Sequence, residues 1–152
     1  IGPSVPLVDK KEIKVYYSGY RFSQTKLIEG EHACGLATLR LDGFTHVTLE
    51  DGRDQGNITT IPVGRGAATE LLVNASCADG NRIEVELIDP NTGKPLPRFS
   101  RKESTVITTD SLGHRVRWGR QRLADAGSVS FQIRFYLTGQ DSSPDLYSFE
   151  FR

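Results

Sequence analysis

The feature that most constrains the fold is a two-residue alternation of apolar and polar side chains, repeated along most of the chain. In residues 129–137, every second position is a large apolar residue: Phe131, Ile133, Phe135 and Leu137. This period is typical of a β-strand with one buried and one solvent-facing side. The same alternation, or an enrichment in β-branched and aromatic residues, occurs in residues 12–18, 34–41, 44–49, 57–63, 70–75, 82–88 and 146–151.

Short polar turns separate these runs. Residues 89–93 read Asp-Pro-Asn-Thr-Gly, which favours a tight turn between two strands. One stretch resembles a helical turn, residues 122–126, and Gly127 ends it after about one turn. The sequence therefore predicts an all-β fold, an antiparallel two-sheet β-sandwich of jelly-roll-like type with an N-terminal β-meander.

The chain length and a polar segment predict how the chain is divided into structural parts. A chain of 152 residues can bury one sizeable core. A polar, glycine-rich segment at residues 50–57 predicts a boundary between residues 1–54 and residues 55–152. The first part is too small for an independent core and is expected to pack on the second.

The 19 basic and 19 acidic residues give a formal net charge of zero. Net charge alone therefore favours neither nucleic acid nor a membrane surface as a partner.

Three local features favour a secreted protein. The chain starts at Ile1 without a signal-peptide pattern, which suggests that it was cut from a longer precursor. Asn57-Ile58-Thr59 and Asn74-Ala75-Ser76 are glycosylation sequons, so N-linked glycans are expected at Asn57 and Asn74, the alternative being a chance occurrence of this short motif. Cys34 and Cys77 are expected to form a disulfide, the alternative being two unlinked buried thiols. Together these features predict an extracellular location.

Two passages carry a family resemblance. The segments KKEIKVYYSGY and CGLATLRLDGFTHVTLEDG resemble the last blade of a five-bladed β-propeller from the glycoside-hydrolase superfamily around families 32, 43 and 62. The second passage runs from GNITTIPV through IEVELIDPNTGKPLPRFS to DLYSFEFR and resembles the β-sandwich that often follows that propeller. The resemblance covers nearly all of the chain and implies a carbohydrate-directed parent protein, with the rest of that propeller as a partner.

The resemblance implies no catalytic residue, because the propeller enzymes carry their carboxylates on several blades and at most one blade is present here. A glycosidase also needs two carboxylates about 5–10 Å apart around a cleft. The candidate carboxylates all lie in turn-like segments: Asp42, Asp51, Asp54, Asp79, Asp89 and Asp145. We therefore expect no enzymatic activity. No metal-binding spacing links His32, His46 and His114, so no cofactor is expected, with a structural calcium ion as the alternative.

A basic segment is the strongest candidate for a binding site. Residues 98–122 contain seven arginines and lysines but two acidic residues, a local charge of about +5. In the strand 114–118, Arg115 and Arg117 are expected on one side and Val116 and Trp118 on the other. Arginine binds carboxylate, sulfate or phosphate groups in a bidentate fork, so an acidic or sulfated glycan is the expected ligand. A solvated basic face without a ligand is the alternative.

Aromatic residues could add a stacking platform to this site. Tyr136 alternates away from the apolar face of its strand and is the better candidate for an exposed ring. Trp118 is a second candidate, but it shares a face with Val116, which favours its burial in the core. The predicted glycan-binding residues are Arg115, Arg117, Arg120, Tyr136 and Trp118. The function expected is a noncatalytic module that binds carbohydrate or braces a catalytic propeller, the alternative being a free-standing lectin-like, adhesive or matrix protein.

Overall fold

The computed structural model describes residues 4–20, 32–78, 80–127, 130–139 and 142–152. The chain divides into two compact units, Ile1–Thr45 and His46–Arg152. The polar segment at residues 50–57 lies inside the second unit. Phe131 and the other apolar positions named for residues 129–137 fall within the described part, whereas Val129 and Asp79 lie outside it.

The first unit is an antiparallel β-meander. Its strands are β1 (Leu7–Asp9), β2 (Glu12–Tyr20) and β3 (His32–Arg40), in the order β1-β2-β3. The register pairs Ile13 with Leu39 and Val15 with Ala37, which places apolar side chains on one face of the sheet. This confirms the N-terminal meander that the sequence predicts.

The second unit is a sandwich of two antiparallel three-stranded sheets. One sheet has the order β4-β8-β6 and the other β7-β5-β9. Consecutive strands therefore alternate between the sheets, and every connection crosses from one sheet to the other. The predicted sandwich is confirmed. Its strands are β4 (Gln55–Thr59), β5 (Leu71–Ser76), β6 (Arg82–Ile88), β7 (Ser111–Val116), β8 (Gln132–Thr138) and β9 (Asp145–Phe151).

The core of the second unit lies between the two sheets. The four apolar residues of the alternating run, Phe131 just before β8 and three more within it, are at most 2% exposed, as the pattern predicts. Aromatic rings meet across the sheets: the centroids of Phe135 and Phe149 are 5.6 Å apart, and those of Phe131 and Phe151 are 6.2 Å apart. Such tilted and edge-to-face pairs stabilise a core beyond the apolar area they bury.

The turns at residues 89–93 and 122–127 form where the sequence predicts them. In the turn at residues 89–93, the Asn91 amide donates to the Asp89 carboxylate at 2.8 Å, and Gly93 adopts a φ of 68°. The backbone hydrogen bond from Asn91 lowers the pKa of Asp89. The helix-like stretch forms a 3₁₀ turn at Leu123–Ala126, ended by Gly127 with a φ of 77°. A second 3₁₀ turn spans Arg101–Glu103.

The predicted disulfide is wrong, because both cysteines are free. Cys34 lies exposed on β3 of the first unit. Cys77 is 4% exposed and belongs to the core of the second unit, so its thiol packs among apolar side chains rather than at the surface. Burial raises the pKa of the Cys77 thiol to about 11, with smaller contributions from the charges of Asp145 and Asp110.

Iodoacetamide treatment of the native protein is expected to modify Cys34 and to leave Cys77 unmodified. The thiolate is the reactive form, and Cys77 is both enclosed and difficult to ionise. Intact mass should show one adduct before denaturation and two after it. The raised pKa also makes the free energy of unfolding depend on pH, because only the neutral Cys77 thiol is compatible with burial. This contribution is fully present below the ordinary thiol pKa of 9.0 and is lost as the pH rises towards 11. Two adducts on the native protein would contradict this assignment.

The two sequons differ in accessibility. Asn57 is exposed on β4, at the edge of its sheet. Asn74 is 3% exposed on β5, the central strand of the other sheet. A glycan on Asn74 has no room in this fold, so the prediction for that residue is wrong, whereas Asn57 stays a candidate acceptor.

Candidate functional site

Two chain segments, residues 101–105 and 117–121, lie side by side in the second unit. The Gly119 amide donates to the Glu103 carbonyl at 2.8 Å, and the Thr105 amide donates to the Arg117 carbonyl at 2.7 Å. Ser104 and Trp118 form an isolated antiparallel bridge between the same segments. Gly119 has a φ of 59°, a conformation that favours glycine and allows the second segment to turn sharply here.

These two adjacent segments carry three cations, Lys102, Arg117 and Arg120, which we call the basic cluster. All three residues are exposed. Within the described ranges, none of them has a carboxylate within ion-pair distance. Three unpaired cations on adjacent turns form a local positive surface in a chain whose formal net charge is zero.

Arg101 anchors the turn that carries Lys102. Its guanidinium donates to the Glu84 carboxylate on β6 from Nε at 2.9 Å and from Nη2 at 2.6 Å. Its backbone amide donates to the Glu86 carboxylate at 3.1 Å. The turn Arg101–Glu103 is therefore attached to β6 by both its backbone and its side chain, which fixes the position of Lys102 at the backbone level.

Nearby acidic side chains have hydrogen-bond partners of their own. The Glu103 carboxylate accepts from the Ser100 hydroxyl at 2.9 Å and from the Ser100 amide at 3.2 Å, closing a cap on the turn. The Asp125 carboxylate accepts from the Arg122 amide at 2.8 Å. Their local bonds hold these carboxylates on their own turns, so the cations of the basic cluster stay open to an external anion.

Arg115 and Arg117 are both exposed while Val116 between them is buried, as the alternation predicts, but the two arginines differ in their partners. Arg117 is exposed with its backbone tied to Thr105. Arg115 lies two residues earlier, on β7, and its Nε lies 3.1 Å from the Glu70 carboxylate. Because that pairing neutralises part of its charge, Arg115 is a weaker anion ligand than Arg117. The sequence signal for Lys102 was its place in the basic segment, but the pairing of its segment with the one that carries Arg117 depends on the bridge between Ser104 and Trp118.

Trp118 is not a sugar platform. It is 1% exposed, its indole Nε1 donates to the Val85 carbonyl at 2.8 Å, and its ring meets Phe99 edge-on at 5.1 Å between centroids. Burial in the core, the alternative that the alternation with Val116 offered, is confirmed. Trp118 serves the site by holding the segment between Arg117 and Gly119 against the core.

Tyr136 points away from the core, as predicted, but its ring is not open. The Arg101 guanidinium carbon lies 4.5 Å from the ring centroid, a cation–π contact that covers one face. The Tyr136 hydroxyl donates to the Glu86 carboxylate at 3.0 Å. The ring is therefore part of a polar network on the outer face of the β4-β8-β6 sheet, and the prediction of an exposed platform is wrong.

The described residues contain no group of three or more His, Cys, Asp and Glu side chains that could hold a metal ion. His46 Nε2 lies 3.6 Å from the Asp145 carboxylate, and His114 Nε2 lies 3.3 Å from the Ala75 carbonyl, so these two histidines have separate local partners. None of the helical segments in the described part of the chain has the length and apolar character needed to cross a membrane.

No family model matches the chain, and no curated protein or solved structure matches it significantly. The resemblance to the propeller glycoside hydrolases therefore stays a prediction from the sequence motifs.

Proposed function

We propose that the chain is a noncatalytic module of an extracellular glycan-active protein and that it binds an acidic or sulfated glycan through Lys102, Arg117 and Arg120. The observation that carries the proposal is the set of three exposed cations without carboxylate partners among the described residues, on two segments joined by backbone hydrogen bonds. Arg115 extends the same positive surface along β7, although Glu70 competes for it.

The chemistry of the three side chains suits a chain of sulfate or carboxylate groups. Arginine presents a planar fork that binds two oxygens of one anion, and lysine adds a point charge. A charge-assisted contact contributes about 1.5–3 kcal/mol when partly desolvated. Because the cluster is exposed, salt should screen it beyond about 8–10 Å at physiological ionic strength, and the affinity should fall as salt increases.

Calorimetry with sulfated and neutral oligosaccharides of the same backbone tests the proposal. Replacing Lys102, Arg117 and Arg120 together with alanine is expected to weaken binding of the sulfated ligand about 100-fold, which corresponds to about 3 kcal/mol. The matched control removes three exposed lysines elsewhere, Lys10, Lys11 and Lys94, and should leave the affinity within a few-fold of the wild type.

Both variants lose three positive charges, so a nonspecific charge effect would weaken them equally. Equal weakening of the two variants, or binding that is insensitive to salt, would contradict a specific site at the basic cluster.

A bracing role is the second candidate function. It is supported by apolar side chains that the first unit leaves exposed, including Leu7 at 55%, Tyr16 at 47% and Leu36 at 49%, which the strand register places on one face. Exposed apolar positions grouped on one small sheet are typical of a surface that packs against another protein. A module that only braces a parent protein would show no salt-dependent glycan binding in the calorimetry above, which separates the two functions.

A further inference from the structure

A pocket opens at one edge of the sandwich, where the chain passes from one sheet to the other. Val47 exchanges backbone hydrogen bonds with Leu146 at 2.8 and 2.9 Å, so it extends the β7-β5-β9 sheet next to β9. The chain then turns, with the Arg53 amide donating to the Glu50 carbonyl at 3.0 Å, and enters β4 of the opposite sheet. The two arms of this turn diverge onto different sheets and leave a gap between them.

The gap is a pocket of about 260 Å³ that is open to solvent. Two of its residues, Leu49 and Leu137, belong to the hydrophobic core, so the core reaches the surface here. The Leu49 side chain packs closely against Gly56 and Gly139, which have no Cβ to occupy that space. A Cβ added to Gly56 would lie 2.9 Å from the Leu49 side chain, and a Cβ added to Gly139 would lie 3.1 Å from it. The pocket is lined by Val47, Thr48, Leu49, Glu50, Arg53, Gln55, Gly56, Asn57 and Leu137.

One wall of the pocket is the free edge of β4. The Gly139 amide donates to the Asp54 carbonyl, and the Thr60 amide donates to the Ile133 carbonyl, so even-numbered positions carry the ladder to β8. In an antiparallel ladder the alternate positions direct their backbone groups to the other side. Gln55 and Asn57 therefore present N–H and C=O groups along the edge that lines the pocket.

The mouth of the pocket carries one acid and one base. The side chains of Glu50 and Arg53 are 84% and 71% exposed, and their nearest charged atoms are 4.0 Å apart. This separation is at the limit of an ion pair, so both groups can bind a ligand through hydrogen bonds. Their charges cancel, which favours an uncharged ligand over an anion.

We infer that this pocket binds the terminal ring of a neutral sugar. The apolar floor matches the C–H face of a pyranose, and the edge backbone groups with Glu50 and Arg53 offer donors and acceptors for its hydroxyls. The volume is below the roughly 300–1,000 Å³ of drug-sized sites, so one ring fits. The site goes beyond the proposed function, because neither its residues nor its ligand charge coincide with the basic cluster.

Protein-observed NMR titration with a panel of neutral monosaccharides tests the inference. The full chain is produced without N-linked glycans, so that Asn57 carries no sugar of its own. Amide shifts are expected at residues 47–50 and 55–57, with a dissociation constant of about 1 mM for the best ligand. Val47→Phe fills the pocket and should weaken binding at least tenfold. Ile61→Phe adds an aromatic ring at an exposed position outside the pocket and should bind as the wild type does.

A second variant covers the case in which Val47→Phe fails to fold. Gln55→Pro removes the outward N–H of the edge strand, where proline is tolerated, and should also weaken binding, whereas Gln55→Ala keeps that N–H and the binding. The inference would be overturned if no sugar caused amide shifts, or if the shifts were confined to the basic cluster. It would also be overturned if an extended peptide, and no sugar, shifted the amides of β4. Binding of sulfated ligands at the basic cluster is read from different residues, so either site can fail alone.

Discussion

Replacing Trp118 with alanine is expected to lower the free energy of unfolding by about 3–5 kcal/mol. The indole is 1% exposed and is the largest fully buried side chain of the protein's described part. Its removal leaves a cavity beside Phe99 and deprives the Val85 carbonyl of the 2.8 Å hydrogen bond from Nε1. The cavity and the unpaired buried carbonyl both destabilise the folded state.

Chemical denaturation followed by circular dichroism measures this loss. Trp118→Phe restores most of the volume and loses the hydrogen bond, so it should cost less than the alanine variant. Val106→Ala is the control, because Val106 is 46% exposed and its truncation should change the stability by about 0.5 kcal/mol or less. A Trp118→Ala loss no greater than that of Val106→Ala would contradict the packing described for this residue.

The sequence predicted the two faces of most strands correctly because alternation is a local property. The rule placed Trp118 opposite Arg117, and the structure buries the first and exposes the second. The same rule cannot tell whether an outward face is covered. Leu72 and Asn74 alternate with the core residues of β5, yet they are 7% and 3% exposed. Because β5 lies between β7 and β9, side chains of both neighbours flank this face, with Arg115 and Glu150 paired on either side of Leu72.

The candidate site depended on contacts that a local pattern does not contain. The segments that carry Lys102 and Arg117 are joined by the bridge between Ser104 and Trp118, which are 14 residues apart in the chain. Arg115 forms an ion pair with Glu70, a residue outside the basic segment. A count of charges along the sequence therefore located the positive region. Which of its cations lack a carboxylate partner could be read only from the folded structure.

Glu86→Ala is the second large effect we expect, a loss of about 2–4 kcal/mol in the free energy of unfolding. The Glu86 side chain is 8% exposed and lies 3.8 Å from the Arg134 guanidinium. Its carboxylate accepts hydrogen bonds from the Arg101 amide and from the Tyr136 hydroxyl at 3.1 and 3.0 Å. Truncation leaves these two donors without an acceptor at a site that is largely shielded from water. The Arg134 side chain is 30% exposed, so water can solvate its charge, which limits the loss of stability.

Denaturant unfolding of Glu86→Ala, Glu86→Gln and Glu150→Ala separates burial from charge. Glu150 pairs with Arg152 at 2.8 Å, but both side chains are more than half exposed, so its removal should cost about 1 kcal/mol or less. Glutamine at position 86 keeps an accepting oxygen and should fall between the two alanine variants. Because the Arg101 amide belongs to the turn that carries Lys102, Glu86→Ala should also weaken binding of a sulfated glycan. If Glu86→Ala costs no more than Glu150→Ala, the buried network does not hold that turn in place.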